Sequence, residues 1–299
     1  MPAPSHSDAT ALGPGARTAL LTVLALLAFA GNSVLCRMAL GDAAIDASSF
    51  TALRLFSGAV ALYLLHRFFA RQRDGGRRPR PGSWVAAIML FTYAAAFSFA
   101  YLGLDTGTGA LILFGMVQLT MVAAALRSGS RPGTLEWLGW LAACAGLLVL
   151  VAPGLTAPPL TNALLMAAAG IAWGVYSLKG RGESDPLGST TFNFVRASPL
   201  ALGLVLVGLS DPLLSASGVV LAVVSGAITS GAGYAIWYAA LRDLSTFRAA
   251  MVQLSVPAIA AVGGVMLLDE SLSPRLLASA TLVLGGIALA IAGRRTDSR

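Results

Sequence analysis

Charge is scarce in this chain, and acidic charge is missing from its apolar interior. Asp, Glu, Lys and Arg make up 11% of 299 residues, against about a quarter in a soluble domain. That shortfall excludes a water-facing surface over most of the molecule and leaves lipid as its solvent. There are 13 acidic residues, and all fall in tails, connections or span ends. None can act as the mid-bilayer carboxylate of a proton relay or hold a cationic drug there. Histidine occurs only as His6 in the N-terminal tail and His66 at a span end, and cysteine only as Cys36 and Cys144, both inside apolar runs. A structural disulfide and a metal-ligand spacing are thereby excluded, so neither metal nor cofactor is expected. HExxH, GxSxG and paired-carboxylate patterns are absent, which disfavours an integral-membrane enzyme. The pI of about 10.1 raises nucleic acid as a partner. The basic residues are scattered between apolar runs, however, and no nucleic-acid contact is expected.

What the chain does have is apolar runs of about 20 residues, the length that crosses a bilayer. They predict ten helices near 18–40, 48–69, 83–102, 106–127, 134–151, 161–180, 189–209, 216–240, 245–267 and 273–292. The first run is too long for a signal-peptide core, and nine more follow it. The fold class expected is therefore all-α, a polytopic membrane protein. With the N-terminus in the cytoplasm, sixteen of the 20 basic residues fall in cytoplasmic segments, all but Arg37, Arg54, Arg196 and Arg275. Six arginines crowd the connection from Arg67 to Ser83. The outer connections hold Asp42, Asp46, Asp105, Asp211, Asp269 and Glu270. This asymmetry predicts both termini inside.

The chain also repeats itself. Met-Val-Gln-Leu stands at 116–119 and again at 251–254. A shift of 142 residues brings Arg37 onto Lys179, Phe50 onto Phe192 and Arg54 onto Arg196. A shift of 137 brings Phe97 onto Tyr234 and Tyr101 onto Tyr238, and one of 135 brings Gln118 onto Gln253. Five spans per repeat is odd, so the second copy must enter the membrane from the opposite side. The expected organisation is a cytoplasmic tail at 1–17, five-helix repeats at 18–151 and 161–292, and a tail at 293–299. Inverted repeats are the architecture of alternating access, which disfavours a channel.

Several segments resemble the drug/metabolite transporter superfamily, in particular the EamA-type exporters. They are Gly31-Asn32-Ser33 with Arg37, Phe50-Thr51-Ala52-Leu53-Arg54, Met251-Val252-Gln253-Leu254-Ser255-Val256-Pro257 and Leu268-Asp269-Glu270-Ser271-Leu272-Ser273. Within that superfamily the chain looks most like bacterial exporters of aromatic amino acids of the YddG type. The first half departs from the pattern, with Arg127-Ser128-Gly129-Ser130 where an acidic turn is expected and a helix 4 that reads as shortened. The resemblance implies a basket of helices around a central cavity, lined by helices 1, 3, 4, 6, 8 and 9, with 5 and 10 at the periphery, and transport out of the cytoplasm.

The mid-span polar residues are uncharged, and Asn32, Ser33, Gln118, Ser230 and Gln253 are the candidates to face a wet cavity. A glutamine offers donors and an acceptor, and so suits a zwitterion. Tyr93, Phe97 and Tyr101 share one face of helix 3, with Trp173 and Tyr176 on helix 6 and Tyr234 on helix 8. These rings suit a ring-bearing substrate. Plain helix packing is the competing role for all of these groups. Arg37 and Arg54 are placed near the outer face beside Asp42 and Asp46, as ion pairs or interfacial snorkels, with contact of one of them to a substrate carboxylate at the outer mouth as the sharper option, and Lys179 and Arg196 near the inner face. Pro257 is read as a break in mid-helix 9, and these five are the gating or ion-pair candidates. A mid-membrane region without basic residues argues against phosphorylated substrates. The function expected is a monomeric exporter of aromatic or large apolar amino acids and related small metabolites, by uniport. Its partners are the lipid bilayer and a small-molecule substrate. The rivals are the same fold carrying nucleosides, sugars or drugs, an integral-membrane enzyme, and a channel.

Overall fold

A computed structural model describes residues 13–71, 82–129, 132–154, 157–180, 183–207, 213–244, 249 and 252–293. Most of both tails, the arginines at 73, 77, 78 and 80, and Arg131, Arg181, Asp211, Arg248 and Met251 lie outside the described residues. The fold is all-helical: α1 Pro14–Gly41, α2 Ala47–Arg71, α3 Trp84–Ala100, α4 Thr106–Arg127, α5 Thr134–Val151, α6 Leu160–Gly180, α7 Pro186–Val207, α8 Ala216–Leu241, α9 Val256–Leu268 and α10 Pro274–Gly293. Eight of these are long and apolar enough to cross a membrane, and α3 and α9 are shorter apolar helices.

The boundaries follow local chemistry. Pro14 opens α1, where its missing N–H costs nothing. Asp46 caps α2 by accepting from the Ser49 N–H at 2.8 Å, and Ser83 caps α3 by accepting from the Ala86 N–H at 3.2 Å. Large apolar side chains such as Phe56, Leu148 and Met266 point outward. Thr51, Arg54, Ser98 and Ser225 are inside at 1% exposure or less. A molecule greasier outside than in is built for lipid.

Two sequence expectations about helices are corrected. Helix 4 is not shortened: α4 runs 22 residues, and the short elements are α3 with 17 and α9 with 13. Pro257 does not interrupt the middle of a helix either. Val252 and Gln253 are helical, the chain turns at Leu254 and Ser255, and a new helix starts at Val256 with Pro257 in its first turn. A proline there gives up only an N–H that had no intrahelical acceptor. One further departure has no counterpart in the sequence reading. From Ser225 to Ala232 α8 winds as a π-helix, a form concentrated at functional sites.

The most extensive helix contacts among the described residues keep their pattern when each helix is exchanged with the one five places on. Helix α3 lies on α6 as α1 lies on α8; α4 meets α6 as α9 meets α1; α2 meets α8 as α7 meets α3. Pairs α2–α7, α4–α9 and α5–α10 map onto themselves. Helices α5 and α10 lie at the edge, with Gly139 and Gly286 so close that a Cβ on either meets the other's carbonyl oxygen. Such close approach is how helices associate without water to drive them together.

The connections gather at two ends. At one, Asp46 N–H bonds Leu213 O and Ser215 N–H bonds Ala44 O, each at 2.9 Å, and Asn162 Nδ2 donates to Phe99 O and Ala100 O. This end also carries Asp42, Asp105, Asp269 and Glu270, and is called the acidic end below. At the other, Thr18 Oγ1 donates to Asp243 at 3.0 Å and Ser83 N–H to Asn193 Oδ1 at 3.0 Å.

Candidate functional site

At the centre of the bundle is a small cavity lined by Phe29, Asn32, Ser33, Tyr93, Phe97, Leu113, Phe114, Trp173, Thr229, Tyr234 and Gln253. Six helical segments contribute: α1, α3, α4, α6, the π-segment of α8 and the turn before α9. Its volume is about 20 Å³, room for roughly one water. Small-molecule pockets are typically about 300–1,000 Å³. The cavity is therefore well below the size of a small-molecule pocket.

One wall is aromatic and continuous. Trp173 is its centre, with ring centroids 4.8 Å from Tyr93, 5.1 Å from Tyr234 and 5.4 Å from Tyr176. Tyr93 continues to Phe97 at 5.4 Å, and Phe97 to Tyr101 at 4.8 Å. Phe29 closes on Tyr234 at 6.0 Å and on Trp237 at 5.7 Å. The edge-on and tilted geometries are those that ring quadrupoles favour.

The polar pole is a hydrogen-bond hub on Asn32, which adjoins the wall at Tyr93. Its Nδ2 donates to Tyr93 Oη at 3.2 Å, while Oδ1 accepts from Ser225 Oγ at 2.8 Å and from Thr229 Oγ1 at 3.4 Å. The amide thus ties α1 to α3 and to the π-segment. Asn32→Ala strips the buried Ser225 hydroxyl of its acceptor and Tyr93 Oη of a donor, while Thr229 keeps the Ser225 carbonyl oxygen at 2.8 Å. The expected cost is about 1–3 kcal/mol, read as a lower Tm of the purified protein in detergent; an unchanged Tm would show that the hub contributes nothing.

Arg54 departs furthest from expectation. It does not pair with Asp42 or Asp46; Asp46 caps α2 through Oδ1, and its Oδ2 is buried without a hydrogen-bond partner. The residue is 1% exposed, and it meets groups at the middle of α3 and α8. Nη2 donates to Tyr93 Oη at 2.9 Å and Nε to Ser230 Oγ at 3.4 Å. Its Cζ lies 5.1 Å from the Tyr93 ring centroid and 4.9 Å from that of Phe97, within cation–π range. The bundle interior therefore contains a cation, and the argument against phosphorylated substrates loses its premise.

Arg37 is ion-paired, but with different acids from those expected. Its Nε is 3.4 Å from Glu270 and its Nη2 3.9 Å from Asp105, and Nη1 donates to Tyr101 O at 3.2 Å. Glu270 also accepts from the Thr106 N–H at 2.8 Å and from Thr106 Oγ1 at 3.0 Å, at the start of α4. A carboxylate at a helix N-terminus satisfies free N–H groups and opposes the positive dipole end. Asp269 makes the connection possible. It takes the left-handed conformation with φ 53°, and the Glu270 N–H then bonds back to Gly264 O at 3.2 Å. That turn ends α9 and directs Glu270 to α4.

The remaining candidates scatter. Gln118 is buried on α4 but outside the cavity lining. Tyr101 is fully buried and donates to Thr106 O at 3.2 Å, below the Arg37 cluster. Tyr176 stacks under Trp173 and donates to Thr190. Arg196 is half-buried, lies 5.5 Å over the Trp84 ring, and is not the counterpart of Arg54 in environment. Lys179 is exposed at the end of α6, with no carboxylate within 4 Å among the described residues. Sequence reasoning missed Phe29, Leu113, Phe114 and Thr229. Phe29 stands one turn before Asn32 and was legible by spacing; Thr229 was not, because the π register rotates it.

Residues 160–292 match the model of the EamA-like transporter family. The chain is 55% identical over 282 residues to an uncharacterized Pseudomonas aeruginosa protein, PA1977, covering 94% of this chain and 96% of that one. It is 22% identical over 251 residues to YoaV, an uncharacterized transporter of Bacillus subtilis, covering 80% of this chain and 85% of the relative. A solved crystal structure superposes with a TM-score of 0.64 at 21% identity, over 93% of this chain and 98% of its own; that likeness concerns the fold alone. Residues 160–292 thus carry an EamA-like transporter domain, and with the apolar helices around it the chain is a multi-pass membrane protein of transporter type.

Proposed function

We propose that this transporter exports amino acids with aromatic or large apolar side chains, in the manner of YddG-type exporters. Two oppositely oriented five-helix halves, 18–151 and 161–292, alternate access across a bacterial inner membrane with both termini in the cytoplasm. The observation that carries the reading is the central cavity. Tyr93, Phe97, Trp173 and Tyr234 offer flat apolar surface to a ring, and Asn32, Ser33 and Gln253 offer uncharged donors and acceptors to the rest. The exchange pattern of helix contacts supports the inverted halves. The sixteen basic residues that fall in the segments on the side away from the acidic end support the orientation. Among the described residues no Asp, Glu or His lines the cavity, which favours uniport down the substrate gradient.

The test is counterflow of labelled phenylalanine, tyrosine, tryptophan, leucine, a nucleoside and a sugar in proteoliposomes, with and without a protonophore. Aromatic amino acids are expected to exchange fastest, unchanged by the protonophore. Trp173→Ala removes the centre of the ring wall and is expected to lower aromatic exchange about tenfold or more, while a folded, monodisperse protein remains. A wild-type protein that moves the nucleoside or sugar but no amino acid would refute the reading.

A further inference from the structure

Resting on that reading of the site, we infer that Arg54 and Tyr93 make its polar pole specific for an anion, so that a carboxylate on the ligand is required and an amine alone is not accepted. A guanidinium cannot shed its proton in a protein, and a buried charge is ordinarily paired. Arg37 follows that rule with two carboxylates. Arg54 does not: among the described residues no carboxylate lies within 4 Å of it, and its partners are a phenol, a serine hydroxyl and two rings. One terminal nitrogen, Nη1, is buried with no hydrogen-bond partner at all. The protein has thus placed an unneutralised cation directly behind the cavity wall.

Tyr93 carries that charge forward. Its oxygen accepts from Arg54 Nη2 at 2.9 Å and from Asn32 Nδ2 at 3.2 Å. Both lone pairs are then committed, and the remaining capacity of the phenol is to donate its proton. No acceptor for that proton is present among the described residues, and Tyr93 lines the cavity. A donor backed by a guanidinium favours an anionic acceptor over a neutral one. The ring wall of Trp173, Tyr234 and Phe97 stands around the same small space, so one ligand with a ring and a carboxylate reaches both poles. The carboxylate meets the Tyr93 hydroxyl directly and Arg54 supplies the charge behind it, as a positioning residue with an unused nitrogen to add when the cavity widens.

The experiment is ligand binding to the purified full-length protein in detergent, read by thermal shift and tryptophan fluorescence. The ligands are indole-3-propionate, which has ring and carboxylate without amine, tryptamine, which has ring and amine without carboxylate, and acetate and inorganic phosphate as ring-free anions. Wild type is expected to bind indole-3-propionate at least tenfold tighter than tryptamine. Tyr93→Phe is expected to shrink the ratio and Arg54→Gln to bring it to about one. Equal or inverted wild-type affinities overturn the inference while leaving a ring-binding carrier in place. A ratio that persists in folded Arg54→Gln overturns it as well. Should Arg54→Gln fail to fold, Arg54→Lys keeps the charge, and the wild-type ratio with Tyr93→Phe still decides. Arg54-dependent binding of a ring-free anion with no binding of either indole compound would uphold the anion pole and overturn the aromatic reading. Binding of no anion would overturn the inference.

Discussion

Gly226→Leu is expected to leave no folded protein. Gly226 sits where the π-segment of α8 crosses α2, and a Cβ there would overlap the Ser57 hydroxyl and the carbonyl oxygen of Arg54. Neither is the far end of a flexible chain, so the helices must separate. The same crossing brings Ser230 to Arg54 and Ser225 to Asn32. Separation therefore strips a buried guanidinium and a buried amide of partners together, and such losses are not additive in the protein's favour. Overpacking alone costs about 1–3 kcal/mol, and an unsatisfied buried polar group about 1–3 kcal/mol more. The sum is a large part of a total stability of about 5–15 kcal/mol. Gly226→Ala is expected to fold with a lowered Tm. Gly203→Leu on α7, where a Cβ meets nothing within 4 Å, is the control and should elute and melt like wild type. Gel filtration and thermal unfolding of the three variants check this, and a monodisperse Gly226→Leu with unchanged Tm would contradict it.

That crossing also shows where sequence reasoning stops. The ten helices were legible because span length and hydropathy are local properties, and their ends carry readable caps such as Asp46 and Ser83. Asn32, Ser33, Tyr93, Phe97, Trp173, Tyr234 and Gln253 were legible as interior residues because polar groups and large rings in an apolar run have few other places to go. Pairings across the bundle were not. Arg54 follows Asp46 by eight residues and invites an ion pair, yet two helical turns of α2 carry it inward to Tyr93 on α3 and Ser230 on α8. The acid that holds Arg37 comes from residue 270, and nothing in a single sequence links positions so far apart. The π-segment leaves no trace either, because a shift to i→i+5 bonding over eight residues, all small but Ile228 and Thr229, has no hydrophobic period of its own. Pro257 announced a break correctly, but one proline fits the middle of a kinked helix and the first turn of a new one equally well.

Glu270→Ala is expected to open the acidic end. The Glu270 carboxylate joins α1, through Arg37, to α4, through Thr106, from the connection between α9 and α10. Its side chain is only 10% exposed and that of Arg37 24%, so the pair is screened far less than a surface bridge. Removing one partner leaves Arg37 leaning on the more exposed Asp105 and the start of α4 without its acceptor. A loss of about 2–3 kcal/mol from the closed arrangement shifts the equilibrium toward the open one roughly 30- to 150-fold. Ser33 lines the cavity, so Ser33→Cys in a Cys36→Ala, Cys144→Ala background reports the change. An impermeant maleimide applied from the acidic side should label it at least tenfold faster once Glu270 is alanine. Arg37→Gln should raise labelling less, because Glu270 keeps its bonds to Thr106. The exchange of Arg37→Glu with Glu270→Arg should not restore closure, since it sets a guanidinium against the N–H groups and positive dipole of α4. Labelling that stays at the wild-type rate in folded Glu270→Ala would show that other contacts hold this end shut. Restoration by the exchanged pair would show that simple charge attraction, without the α4 terminus, accounts for the latch.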